Sequence, residues 1–313
     1  MITTAAQLLF GLATYFPGFN KIRRKKTGGT DSARYCYSVW LRHLIMARKY
    51  GMQQVPSVVA ELGPGDSLGI GLSALLSGAQ KYYAFDVVNY ADVQSNERIL
   101  DELVKLFLKR EPIPDHNEFP RLKPRLNNYD FPDDILTIES MAENLLQDRV
   151  EEIRKTIKNQ GSKDKCIEYK TPWFDSSIIQ RDDVDFIYSQ AVLEHVDQME
   201  GVYQSMNNWL KPGGYMSHQI DFKSHGLADQ WYGHWQYEKW LWALIKGKRP
   251  YLLNRLPLSS HKKYLESNSF AVKHCAKHLE DAIAPREKLA SDFQHLTDED
   301  LVTSGAYILS SKY

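Results

Sequence analysis

One stretch, residues 56–86, restricts the fold more than any other. Pro56-Ser57-Val58-Val59-Ala60-Glu61-Leu62 is a short apolar run of buried-strand type, and it ends in Gly63-Pro64-Gly65-Asp66-Ser67-Leu68-Gly69. A small-residue helix is predicted from Ile70 to Gly78, then a second strand, Tyr82-Tyr83-Ala84-Phe85, closed by Asp86. Strand, glycine turn, helix, strand and acidic residue form the plan of one nucleotide-binding half of a doubly wound parallel sheet. Glycine lets the backbone approach a ligand closely and adopt turn angles that a side chain forbids. Asp86 follows Gly65 at roughly the 20-residue spacing of an acid that accepts hydrogen bonds from a ribose.

The acidic Glu61 before the turn changes which ligand fits. A carboxylate there repels a pyrophosphate but suits a ligand carrying an amino group or a sulfonium. The turn also departs from G-x-G-x-x-G, because Leu68 occupies the position of its last fixed residue. S-adenosylmethionine therefore fits better than a nicotinamide dinucleotide. On these residues the chain resembles the class I S-adenosylmethionine-dependent methyltransferases, with Ser67 where their third glycine stands. Two later stretches agree. Val184-Asp185-Phe186-Ile187-Tyr188-Ser189-Gln190-Ala191-Val192-Leu193-Glu194-His195-Val196 resembles their fourth strand and the helix after it, and Trp209-Leu210-Lys211-Pro212-Gly213-Gly214-Tyr215 their turn into the fifth. The resemblance implies a Rossmann-like α/β fold: a seven-stranded, mostly parallel sheet with an antiparallel final strand and helices on both faces. It places the cofactor on Glu61, Gly63, Pro64, Gly65, Asp66, Ser67, Asp86, Val87, Ser189 and Gln190.

The rest of the chain is read around this frame. Residues 1–55 are expected to be an N-terminal helical region, and 56–313 the methyltransferase domain. A helix with Tyr37, Trp40, Leu41, Leu44, Ile45 and Arg48 at helical spacing is predicted after the capping residues Asp31 and Ser32, closing at Gly51. A helical insertion is expected at about 90–165, before a third strand near Cys166 to Tyr169. The end of the chain predicts a strand over Phe270–Cys275, a helix from Arg286 to about Leu296, and a last strand, Gly305–Ser311.

Charge and cysteines narrow the partners. Lys plus Arg (39) balances Asp plus Glu (39), so the molecule lacks the overall attraction to phosphate backbones of a nucleic-acid binder. Cys36, Cys166 and Cys275 show no metal or CxxC spacing and fit a reducing, cytoplasmic compartment. Near the N-terminus Ile2, Ala5, Ala6, Leu9, Leu12, Ala13 and Phe16 share one helical stripe, followed by Pro17-Gly18 and by Lys21, Arg23, Arg24, Lys25 and Lys26. Charges after the apolar run, not before it, argue against a secretory signal. The plain reading packs this helix on its own domain; the other lays residues 1–26 on an anionic membrane surface, at the inner face.

Ligands in such sheets collect at the carboxyl ends of the strands, so the acceptor site is expected beyond the fifth strand. There His218, Asp221, His225 and His234 precede and interleave with Trp231, Trp235, Trp240 and Trp242, an aromatic-rich lid spanning about 223–265. An alcohol acceptor needs a group that removes its proton. His225 is the expected base, Asp221 orients it, and His195 is the next candidate. His218, Trp231, His234, Trp235 and Arg255 are the expected acceptor contacts, with Trp231 and Trp235 evenly balanced between core and site. His218 and Asp221, three apart, should point to opposite faces of a strand. Asp221, His225 and His234 match no recognised metal spacing, so no metal is expected. The strand end Ser189-Gln190-Ala191 lacks the Asp/Asn-Pro-Pro-aromatic motif of amino-methylating DNA enzymes, and no cysteine follows a proline. What remains resembles methyltransferases of bacterial surface-polysaccharide pathways, through residues 189–196, 217–226 and 249–255. That resemblance implies O-methylation of a sugar in a glycan or lipid-linked precursor. The alternatives are a small diffusible acceptor, or cofactor binding without catalysis.

Overall fold

The computed structural model describes residues 4–16, 29–87, 92–159, 166–173, 175–249 and 252–313. The basic run 21–26, Gly161 and the Pro250-Tyr251 pair lie outside the described residues. Seven strands form one sheet: β1 (Val58–Leu62), β2 (Lys81–Phe85), β3 (Ile167–Lys170), β4 (Val184–Gln190), β5 (Leu210–Asp221), β6 (Phe270–Leu279) and β7 (Thr303–Lys312). Their order is β3-β2-β1-β4-β5-β7-β6. Only β7 is antiparallel to its neighbours, β5 and β6. The order reverses between β1 and β4, the place where a doubly wound sheet opens a crevice at its carboxyl edge.

Side-chain alternation splits the apolar residues between two layers. On one face, Val59, Tyr82, Phe186 and Tyr188 pack with α2 (Ala33–Lys49), α3 (Gly69–Leu76), α4 (Val93–Leu108) and α6 (Gln147–Lys158). On the other, Ala60, Phe85, Ile187 and Met216 pack with α7 (Met199–Trp209) and α9 (Leu258–Ser267). A short α5 (Ile138–Asn144) precedes α6. Ser32 caps α2 by accepting from the Tyr35 N–H, as its position ahead of the apolar stripe predicts. Gly51, φ +121°, turns the chain out of it.

Across the boundary at residue 55, Tyr37, Trp40, Leu41 and Leu44 of α2 share the core layer of β1. Two expectations change. After β4 the chain makes a single 3₁₀ turn, Leu193–His195, before α7 begins. The helix expected from Arg286 to Leu296 is two 3₁₀ turns, Arg286–Lys288 and Ser291–Phe293. Long-range bonds divert that backbone. Ala290 N–H donates to the Trp235 carbonyl (3.0 Å), Ser291 binds Glu238, and the Arg286 guanidinium takes the carbonyls of Gln294 and Leu296.

The N-terminal helix α1 (Thr4–Ala13) packs on α8 (Lys239–Lys246). No helix among the described residues is long and apolar enough to cross a membrane.

Candidate active site

The loop after β1 is shaped by its backbone. Gly63 and Gly65 take φ +66° and +74°, a region that disfavours side chains. A Cβ on Gly63 would sit 2.7 Å from a methyl of Val192, so the loop can close on the rim of β4 only with glycine there. Gly63 N–H also donates to Phe85 O (2.8 Å), which holds the loop beside the end of β2. At that end Asp86 accepts from the Val87 N–H (2.7 Å). Pro64 is buried, and Asp66, half-buried, donates its N–H to Thr30 Oγ1 (3.0 Å).

Ser67 faces inward. Its hydroxyl donates to the Thr30 carbonyl and accepts from the Gly69 N–H (3.1 Å). It therefore ties the loop to the segment before α2 and serves the first turn of α3. Ser67 is thus engaged within the protein, as are two other expected ligand groups. Glu61 points into the layer of α2 and α3, where it accepts from Tyr82 Oη (2.5 Å) and Tyr188 Oη (3.2 Å). Burial pushes its carboxyl up to about 8, against these hydroxyls and the Gly71 N–H in the first turn of α3. In this arrangement Glu61 braces the layer beneath the loop. Ser189 is fully buried, its hydroxyl paired with His218 Nδ1 (2.8 Å).

The turn at Gly63 and Gly65 stays partly open, as do Val87 and Gln190, with Asp86 buried at the end of β2. This set fits S-adenosylmethionine. The turn offers backbone at close range, and the carboxylate ending β2 stands where a ribose would place its hydroxyls.

On the acceptor side the structure brings together the three residues expected to be catalytic. His225 Nε2 lies 3.0 Å from Asp221 Oδ2, both partly open to solvent. The rings of His225 and His195 are 5.3 Å apart. Strand geometry alone would not close the His225–Asp221 pair. The chain reverses at Ser224-His225-Gly226-Leu227, with Leu227 N–H on Ser224 O (2.9 Å) and φ +49° and +78° at the central residues. Positive φ at both positions is the signature of a type I′ turn, and it swings the imidazole back over the end of β5. Lys223 N–H on Asp221 Oδ1 (2.9 Å) fixes the carboxylate. Burial raises the Asp221 carboxyl's proton affinity, but the bonds from His225 and Lys223 outweigh it and hold the group below the usual carboxylate range. A carboxylate accepting Nε2–H leaves the imidazole lone pair on Nδ1, the arrangement of an oriented base.

Most of the expected acceptor contacts are walls of the core. His218 points to the layer of Met216 and Ile220, opposite Asp221; burial pushes it down to about 3. His234 is buried and also pushed to about 3, by burial and then by Arg255. Arg255 donates to the carbonyls of His234 (3.2 Å) and Tyr237 (2.7 Å) and lies between the rings of Trp242 and Phe293. Trp235 is fully buried with Nε1 on Arg255 O (2.9 Å). These four side chains are packed into the protein interior. Trp231 alone of the five is half-buried, its Nε1 on Ala282 O (2.8 Å).

Three residues, His43, Glu194 and Asn254, had no expected role in the sequence reading. His43 on α2 pairs Nδ1 with Ser217 Oγ (2.6 Å) and Nε2 with Gln190 Oε1 (3.1 Å). Gln190 donates in turn to the carbonyl of Lys123 (3.3 Å), which brings the insertion to the rim of β4. Glu194 is buried beside Asp221, and burial pushes its carboxyl well up. Asn254 Nδ2 donates to the carbonyls of Leu193 (2.7 Å) and Val196 (2.8 Å), clamping the turn that carries His195. Among the described residues no group of three or more His, Cys, Asp or Glu side chains is gathered as a metal site.

A family model described as a methyltransferase domain matches residues 54–272. No curated protein matches the chain in sequence. Among solved structures, an S-adenosylmethionine-dependent methyltransferase of Methanosarcina mazei is 12% identical, with TM-score 0.45, covering 85% of this chain and 96% of that one. A putative sarcosine dimethylglycine methyltransferase of Galdieria sulphuraria is 12% identical (TM-score 0.44; 88% and 84% covered). Phosphoethanolamine N-methyltransferase 2 of Haemonchus contortus, in complex with S-adenosyl-L-methionine, is 11% identical (TM-score 0.42; 97% and 60% covered).

Proposed function

Because this chain belongs to the class I S-adenosylmethionine-dependent methyltransferases, we propose that it methylates a hydroxyl, and that the hydroxyl is on a sugar of a glycan or lipid-linked glycan precursor. The single observation that carries the O-methylation reading is the contact of His225 with Asp221 at 3.0 Å. An amine acceptor at neutral pH needs little more than alignment with the methyl group, whereas an alcohol needs a base in reach.

S-adenosylmethionine, when bound, supplies a methyl group on a sulfonium and leaves as the thioether. Gly63 and Gly65 would give it room, and Asp86 would hold its ribose. His225 Nδ1 would accept the acceptor's hydroxyl proton as the oxygen takes the methyl group. Asp221 keeps the ring in that tautomer and stabilises the imidazolium that results. His195, from the turn held by Asn254, lines the same space.

The sugar rests on the resemblance of residues 189–196, 217–226 and 249–255 to surface-polysaccharide methyltransferases. The half-buried Trp231 adds an aromatic face of the kind that covers the apolar side of a sugar ring. Three free cysteines fit a cytoplasmic reaction, taking place at the inner face of the membrane when the acceptor is lipid-linked.

The test is transfer of a radiolabelled methyl group to cell-envelope glycan fractions. We expect label in the glycan and a rate lower by ~10²–10⁴-fold in His225→Ala. Label only in small diffusible compounds would remove the sugar; an unchanged rate in the variant would remove the base.

A further inference from the structure

The helix α1 is packed inside out. Its inner stripe is small and polar: Gln7, Gly11 and Thr14 are buried. Gly11 touches the backbone of α8 so closely that a Cβ would lie 1.9 Å from the Leu244 carbonyl oxygen, and Thr14 Oγ1 accepts from the Lys248 N–H (2.7 Å). The outer stripe is large and apolar. Leu9 is 69% exposed and Phe16 73%, with Leu12 and Tyr15 also open to water. Where the two helices cross, α8 does the same, with Trp240 66% exposed and Leu244 beside it in helical register. Six of the thirteen large hydrophobic side chains exposed among the described residues belong to this one pair. A helix that serves only its own domain buries the apolar stripe and shows the polar one.

Charge identifies what covers the patch. Residues 1–26 and 239–249 together hold nine Lys and Arg and not one Asp or Glu, in a chain whose total charge is zero. Lys248 Nζ lies over the Tyr15 ring (5.1 Å), at the edge of the apolar surface. A second copy of the chain would set these cations against their own kind. A bilayer carrying anionic lipid meets both the apolar stripe and the cations of α8 and the residues after it. We propose that α1 and α8 together form a docking surface for a membrane containing anionic lipid.

The surface also backs onto the catalytic loop. Leu8 packs with Leu227, Trp242, Ile245 and Leu253, and Leu227 is two residues beyond His225. Gln7 Nε2 donates to the carbonyl of Gly226 (3.4 Å). Docking therefore sets the acceptor side of the site one layer of side chains from the bilayer. This goes beyond the sugar reading and holds for any acceptor carried in a membrane.

Vesicle flotation of the full-length protein tests it, using phosphatidylcholine alone and phosphatidylcholine mixed with phosphatidylglycerol. The protein should float with the mixed vesicles and stay behind with the neutral ones. Leu12→Ser and Leu244→Ser should each weaken flotation by about ten-fold, since each removes one inserted leucine. Both should melt within about 2 °C of the parent and bind S-adenosylhomocysteine as it does, because their side chains already face water. Equal flotation with both vesicle types overturns the proposal, as does flotation that the two variants leave unchanged. A dimer in buffer that Leu12→Ser converts to monomer overturns it as well and makes the patch an interface between copies. None of these outcomes alters methyl transfer to a soluble glycan fraction, so the acceptor is judged separately.

Discussion

The two halves of the site are built differently. On the cofactor side, residues 58–87, the shape is set by the main chain: two glycines in left-handed backbone, a strand end and the acid that follows it. On the acceptor side, residues 218–255, the shape is set by which way side chains turn. There a dense group of tryptophans and histidines divides between a small open set (Asp221, His225, Trp231) and a buried one (His218, His234, Trp235, Arg255). Backbone-built sites follow from the order of residues, because glycine and strand ends constrain the main chain directly. Side-chain-built sites depend on tertiary packing, which residue types alone leave open.

Two tryptophans four residues apart sharpen that contrast most. Trp235→Ala should cost about 3–5 kcal/mol, because it empties a fully enclosed ring site and leaves the Arg255 carbonyl without its donor. Trp231→Ala should cost roughly 1 kcal/mol and be felt instead in the acceptor KM. Denaturant unfolding measures the first quantity and saturation kinetics the second. Equal stability losses would erase the division of the aromatic segment into core and site.

A smaller effect separates the buried groups of the two halves by pH. His43, His218, His234 and His261 are each pushed by burial from 6.5 to between about 3 and about 4. The unfolded chain binds protons that these rings refuse, so stability is full above about 6.5 and is lost as pH falls toward 4. Glu61 runs the other way. Its carboxyl titrates at about 8 in the fold against 4.5 when free, so the native state holds a proton that the unfolded chain gives up. Its contribution is full below about 4.5 and fades as pH rises through 8. Scanning calorimetry should therefore show a Tm maximum between these limits. Glu61→Gln should flatten the alkaline limb and leave the acid limb in place; a steeper alkaline limb would contradict the buried neutral acid.

Several elements were legible for physical reasons that can be named. The strands near 58–62, 82–85 and 184–190 showed as apolar runs bounded by turn residues, and their order followed from the glycine turn. The opposite orientation of His218 and Asp221 came from strand periodicity alone. The partners of Glu61 were not legible because a residue at a strand end can point to either layer, and here Tyr82, Tyr188 and the first turn of α3 engage it. His43 was invisible because α2 is buried on nearly all sides, so no single stripe marked the position. The return of His225 to Asp221 depends on a turn with two positive φ values, for which His-Gly is only a weak cue. The 286–296 segment read as helical because its bonds to Trp235 and Glu238 come from far along the chain.

The most direct test of the divided site is calorimetric titration of S-adenosylhomocysteine into the parent protein, Asp86→Ala and His225→Ala. The account predicts binding to the parent, affinity lower by ~10–100-fold when the ribose acid is removed, and no change when the base is removed. No heat with the parent, or parent-like affinity in Asp86→Ala, would contradict it.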